Sequence, residues 1–185
     1  MNTNIRTKDI VLTALLIAIG IIIPVYFSFL RVTLPPAFTA TIMAHVPIFI
    51  AMFISPWAAL FTAIGTTLGF LFTTPLVVAI RAASHVVFAL VGAWMIQKRY
   101  NLVIIGIVTA ILHAVLESLV VYLFLVLGFT PAAEGTPMLV TAFYVTGLGT
   151  LIHDIIDYII ACGVGFALVQ ARAISPLPSI WITKK

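Results

Sequence analysis

The chain has 185 residues, 63% of them hydrophobic and only 8% charged, with a net charge of +4 and a mean hydropathy of +1.28. Soluble domains carry about 25% charged residues, so this chain has too few charges to solvate a globular surface. That excludes a water-soluble enzyme or carrier. The basic residues are scattered, with no patch that would suit nucleic acid.

The apolar runs occupy the whole of residues 1–185 and predict one all-α integral membrane domain, a bundle of six transmembrane helices. A hydrocarbon core asks for about 20 apolar residues per helix, with roughly 17–25 tolerated. The first span covers residues 10–27, with Pro24 near its end. It is read as retained, because the run carries no small-residue cleavage pattern. A polar and aromatic connection, residues 28–38, leads to a second span over 39–54. Ser55-Pro56 turns the chain into a third, 57–72, and Thr73-Thr74-Pro75 into a fourth, 76–97. Lys98-Arg99-Tyr100-Asn101 precedes a fifth, 102–128. After the polar residues 130–137, the apolar stretch 138–172 is too long for one crossing. Its first residues are expected in a loop, with the helix beginning near Phe143.

Basic residues set the orientation. With six spans, Arg6, Lys8, Lys98, Arg99, Arg172, Lys184 and Lys185 share one side, and Arg31 stands on the other beside Glu134. Both termini are therefore expected in the cytoplasm. Trp94, near the Lys98-Arg99 loop, suits an interfacial anchor.

Three stretches place ionisable pairs four residues apart within these spans: Arg81 and His85, His113 and Glu117, His153 and Asp157. That spacing puts both members on one helix face. Each intramembrane charge costs roughly 2.5–3.5 kcal/mol on insertion scales, so such groups face a partner or a polar cavity. At about 1.5 Å per residue, His45 and Arg81 fall about 10 Å below the outer ends of their spans, with His85 one turn deeper. Glu117 lies near mid-membrane and His113 below it. His153 is at mid-depth, and Asp157 approaches the cytoplasmic half. Arg81, His85, His45 and Glu117 are thus the expected lining of an outward-opening site.

Each group also has a structural use. Arg81 could snorkel to the interface, and His85 is either a second donor or a neighbour. His45 precedes Pro47 and could cap freed backbone groups. His113 with Glu117, and His153 with Asp157, could be helix-internal ion pairs. Asp154 points to another face, where an interhelical bond suits it. No metal site or cofactor is expected: the histidines and acids are spread over four helices, and Arg81 would repel a cation. A His-Glu-x-x-His helix, a Gly-x-Ser-x-Gly turn and a Walker loop are all absent, so neither hydrolysis nor nucleotide use is expected. The lone Cys162 reads as a small packing residue.

Small residues recur at Ala14 and Ala18, with Gly20 behind, at Ala59 and Ala63, Gly65 and Gly69, and Ala161 and Gly165. Such spacing permits close helix approach. Packing within the bundle is the expected use in the third and sixth spans. Six short spans, no ATPase motif and Ala14-x-x-x-Ala18 on the first helix together resemble an S component of an energy-coupling factor (ECF) vitamin transporter. Three segments resemble its niacin-type branch: the run from Ala44-His45-Val46-Pro47 to Ser55-Pro56, Arg81-Ala-Ala-Ser-His85 and Gly149-Thr-Leu-Ile-His153. The resemblance implies a bacterial cell-membrane location, a T-type membrane subunit contacted through Ala14 and Ala18, and two cytoplasmic ATPases. It implies, too, that residues 28–38 and 130–137 act as lids and that the subunit turns over in the membrane to release its vitamin. A buried Arg and His near aromatic rings suit a compact carboxylate. Nicotinate would place its carboxylate on Arg81 and its ring against Phe38, Tyr122 or Tyr144. Pantothenate would use the same Arg. A stand-alone proton-coupled permease and a non-transport scaffold remain the alternative classes.

Overall fold

A computed structural model describes residues 6–34, 38–131 and 134–179. Six helices follow one another: α1 (Thr7–Tyr26), α2 (Val46–Ile54), α3 (Pro56–Thr73), α4 (Leu76–Gln97), α5 (Leu102–Val126) and α6 (Leu148–Gln170). An antiparallel hairpin, β1 (Arg31–Leu34) and β2 (Phe38–Thr41), lies between α1 and α2, with Arg31 opposite Thr41 and Leu34 opposite Phe38.

Five helical stretches are long and apolar enough to cross a bilayer: α1, α3, α4, α5 and Val140–Gln170. The expected second span is the exception. Residues 39–54 do not form one helix; they divide into β2, a turn over residues 42–45 and α2. Nine residues rise only about 14 Å, under half of a hydrocarbon core. Pro47 explains the break. A helix starting at residue 39 would put Pro47 in its interior, against the carbonyl of Met43 and without an N–H to give. Beginning at Val46 instead leaves Pro47 in the first turn, where a missing N–H costs nothing.

The short helix can be apolar all round because it occupies the middle of the bundle. Its residues are buried from Val46 to Phe53, and it packs on α1, α3, α4 and α6. Small residues let neighbouring helices approach closely. A Cβ on Gly69 would stand 2.9 Å from the Cα of Ile21, and one on Gly165 would stand 2.8 Å from the Phe53 ring. Ala59, Ala63 and Ala161 are fully buried, as bundle packing requires. On α1 the buried face is Leu16, Gly20, Ile23 and Pro24, whereas Ala14 and Ala18 are exposed.

The last stretch also departs from expectation. Helix already exists at Met138, and residues Val140–Gly147 wind as a π-helix that feeds directly into α6. The residues expected in a loop are therefore helical. Capping is local and legible elsewhere: the Ser55 hydroxyl accepts from the Ala58 N–H at 3.0 Å to start α3, and the Asn101 side chain accepts from Val103 N–H at 2.8 Å to start α5.

One end of the bundle gathers basic residues. Lys8 donates to the Arg172 carbonyl at 2.5 Å, Arg99 to the Pro176 carbonyl at 3.1 Å, and the Leu102 N–H to the Ser179 carbonyl at 3.0 Å. The start of α1, the α4–α5 loop and the tail thus share this end. The hairpin closes the other, where Arg31 donates to the Pro24 carbonyl at 3.2 Å.

Candidate functional site

Non-helical backbone at membrane depth is tolerated only where protein buries it or it lines a cavity. In the break before α2, Ala44 and His45 are buried and line a cavity, while Ile42 and Met43 are exposed. The turn over residues 42–45 wraps the carboxylate of Asp157 on α6: Met43 N–H donates to Oδ1 at 2.8 Å, and His45 N–H donates to Oδ2 at 3.0 Å. His45 Nδ1 meets the same oxygen at 3.1 Å. Both N–H groups belong to the turn that precedes α2, so Asp157 anchors that turn to α6. The His45 side chain does not cap its helix.

A second carboxylate joins three helices. Glu117 on α5 accepts from Arg81 Nη2 at 2.6 Å and from the Thr150 hydroxyl of α6 at 2.6 Å, both on Oε2. Its Oε1 lies 3.3 Å from His85 Nε2. Arg81 and His85, one turn apart on α4, grip one carboxylate through different oxygens. Arg81 also donates to the Thr39 carbonyl of β2 at 3.2 Å, and its guanidinium lies 5.8 Å from the centre of the Phe38 ring. The hairpin is thereby tied to the membrane-depth charges.

A third carboxylate, Asp154, holds His113 Nδ1 at 2.6 Å across the α5–α6 contact. The interhelical bonds are shorter than the helix-internal ones. His113 Nε2 to Glu117 is 3.4 Å, and His153 Nε2 to Asp157 is 3.6 Å. The spaced pairs are thus devices for joining helices, and only loosely pairs within them. Arg81, His85, His45, His113, Glu117, Asp154 and Asp157 are all buried.

A small cavity of about 20 Å³ lies under the hairpin. Arg31, Thr39, His45, Arg81, His85, Glu117 and His153 contribute to its wall. Of the seven residues expected to bind substrate, four line it: Arg81, His85, His45 and Glu117. Phe38 is buried against Arg81 and against Gly149, whose Cβ would stand 2.7 Å from the ring. Tyr122 and Tyr144 are placed elsewhere. Tyr122 packs near Phe143, with ring centres 6.1 Å apart, and Tyr144 is 67% exposed. Tyr144 lies within the π-helical stretch Val140–Gly147, with its side chain turned away from the cavity wall.

Among curated proteins, the chain is 36% identical over 174 residues to the niacin transporter NiaX of Lactococcus lactis subsp. cremoris, covering 90% of this chain and 77% of that protein. The chain belongs to that transporter's family. It is the family to which the niacin-type resemblance of the sequence points, and it makes the chain a multi-pass protein of the bacterial membrane. No family model and no solved structure matches significantly.

Within this family member, the spacing of acids and histidines overlooked Thr150 and the Thr39 carbonyl. Thr150 had a signal: with Asp154 and Asp157 it forms a polar i, i+4, i+7 stripe along α6. The Thr39 carbonyl had none, because a backbone acceptor becomes available only once the chain leaves the helix.

Proposed function

We propose that this protein is the substrate-binding S component of an ECF-type importer and that its substrate is niacin. The observation that carries this is the buried Arg81, set beneath the hairpin at the wall of a cavity, in a chain 36% identical to a niacin transporter. Nicotinate is a flat anion, and guanidinium offers a flat, permanently charged fork. The carboxylate sits on Arg81, the pyridine ring lies against Phe38, and His45, His85 and Glu117 complete the pocket. The basic end, with Lys8, Arg99 and Arg172, supports termini in the cytoplasm and a hairpin outside. The hairpin is then the lid, since its Thr39 carbonyl is the contact that a ligand at Arg81 loosens. Energy comes from a T-type membrane subunit, met through the exposed Ala14 and Ala18 face of α1, and from two cytoplasmic ATPases.

Titration calorimetry of the purified protein with nicotinate tests this directly. One equivalent of nicotinate is expected to bind, and Arg81→Gln is expected to lower affinity at least 100-fold while the protein remains monodisperse. Binding of pantothenate in place of nicotinate would retain the S-component role and change the vitamin. Binding of neither would overturn the proposal. The line of buried histidines and carboxylates supports a second reading, a self-sufficient proton-coupled permease. Nicotinate uptake into proteoliposomes by this chain alone, driven by a pH gradient, would establish it in place of the first.

A further inference from the structure

The four histidines, which come from different parts of the chain, meet at one place. The His45 ring centre lies 4.6 Å from those of His85 and His113 and 4.8 Å from that of His153, and His85 and His113 are 4.7 Å apart. Ring nitrogens of His45, His85 and His113 all lie within 4.8 Å of one another.

The other nitrogen of each of these three rings is engaged by a different carboxylate. His45 Nδ1 faces Asp157 at 3.1 Å, His85 Nε2 faces Glu117 at 3.3 Å, and His113 Nδ1 faces Asp154 at 2.6 Å. Metal-ligating histidines are oriented in this way, with a carboxylate fixing the ring and raising the basicity of the nitrogen that binds. Of the remaining nitrogens, His85 Nδ1 is buried with no hydrogen-bond partner, and His113 Nε2 has only Glu117 beside it, at 3.4 Å. Buried polar atoms normally have a partner.

Charge points the same way. The cluster holds three carboxylates (Glu117, Asp154, Asp157) and one guanidinium, Arg81, in a buried place. Arg81 is paired with Glu117 at 2.6 Å, which sets its charge against a carboxylate that also orients His85. Imidazole nitrogens suit ions of the zinc and nickel class. Their nitrogens stand up to 4.8 Å apart, and a bound zinc would draw each to about 2.0–2.1 Å from itself.

We propose that His45, His85 and His113 form a three-histidine site for one divalent transition-metal ion, with Asp157, Glu117 and Asp154 as the carboxylates that orient them. The site shares His45, His85 and Glu117 with the pocket proposed for nicotinate and adds His113 and Asp154 behind it, so it goes beyond the niacin proposal while resting on the same wall of the cavity.

The test uses the full chain in detergent, stripped with a chelator and titrated with Zn²⁺ alone, with bound metal counted by mass spectrometry after desalting. One equivalent of zinc is expected. His45→Gln and His113→Gln should each lose it, and Asp154→Asn should weaken it by about 10–100-fold. Each variant is accepted only if it elutes as the wild type does, and the wild-type stoichiometry decides for or against the site even if every variant fails to fold. No zinc on the wild type, or one equivalent retained by both histidine variants, overturns the proposal. Nicotinate titration of the same stripped protein keeps the two proposals apart. Nicotinate binding without any zinc site would overturn this inference alone, and a zinc site without nicotinate binding would overturn only the vitamin assignment.

Discussion

Glu117 shows how much one side chain can organise. It is buried on α5 and takes bonds from Arg81 and His85 of α4 and from Thr150 of α6. A carboxylate in a dry interior is costly unless its lone pairs are used, and here they are. Removing one partner of such a buried pair leaves an uncompensated charge, at a cost of roughly 3–5 kcal/mol. Glu117→Ala is therefore expected to be among the most destabilising single changes in the bundle. Thr150→Val deletes one hydrogen bond to a charged group and should cost roughly 1.5–3 kcal/mol. Thermal unfolding in detergent checks the order. A Thr150→Val protein that melts below Glu117→Ala would show that Arg81 is not the main beneficiary of Glu117.

Among the elements, the interrupted α2 has the most consequence. Its turn requires Met43 at φ 71°, a left-handed conformation that costs a non-glycine residue roughly 1–2 kcal/mol. The N–H of the same residue is bonded to Asp157, which offsets that strain. Met43→Gly should be neutral or slightly stabilising, since relief of strain opposes the added chain entropy. Met43→Val should destabilise, because a β-branched side chain fits that region worst. Equal melting temperatures for the two variants would show that the turn does not hold this conformation. The α1–α3 contact makes a second demand. A Cβ on Gly69 would meet the backbone of Ile21 at 2.9 Å, and backbone cannot swing aside as a side-chain tip can. Gly69→Val is expected to part these helices, at a cost of roughly 1–3 kcal/mol from overpacking. Unchanged melting would mean that α1 already has room to slide.

For the molecule as a whole, polarity runs from a basic end to a hairpin end. Lys8, Arg99 and Arg172 meet at the first, and Arg31 sits at the second. If the basic end faces the cytoplasm, a cysteine placed by Lys98→Cys in a Cys162→Ala background should react with a membrane-impermeant maleimide only after cells are opened. A cysteine at exposed Leu34, on β1, should react in intact cells. The reverse pattern would invert the topology and put the cavity on the inner side.

Much of this was visible in the chain before it was folded. Its membrane character follows from 8% charge and 63% apolar residues, since no arrangement of such a chain can present a solvated surface. Four of the helices have bounds close to their apolar runs, because bilayer thickness fixes their length. Arg81, His85, His45 and Glu117 stood out as intramembrane polar groups that must find partners, and all four line the cavity. Tertiary structure alone decided who those partners are. The i, i+4 pairs were legible as pairs on one face, yet their short bonds run to other helices, because a face defines a direction and only packing supplies what lies along it. The anchoring of the turn before α2 on Asp157 and the meeting of four histidines are likewise products of packing, whereas the break itself follows from Pro47. Such features rest on contacts between residues as remote in the chain as Met43 and Asp157, 114 positions apart, and local composition carries no record of such distances.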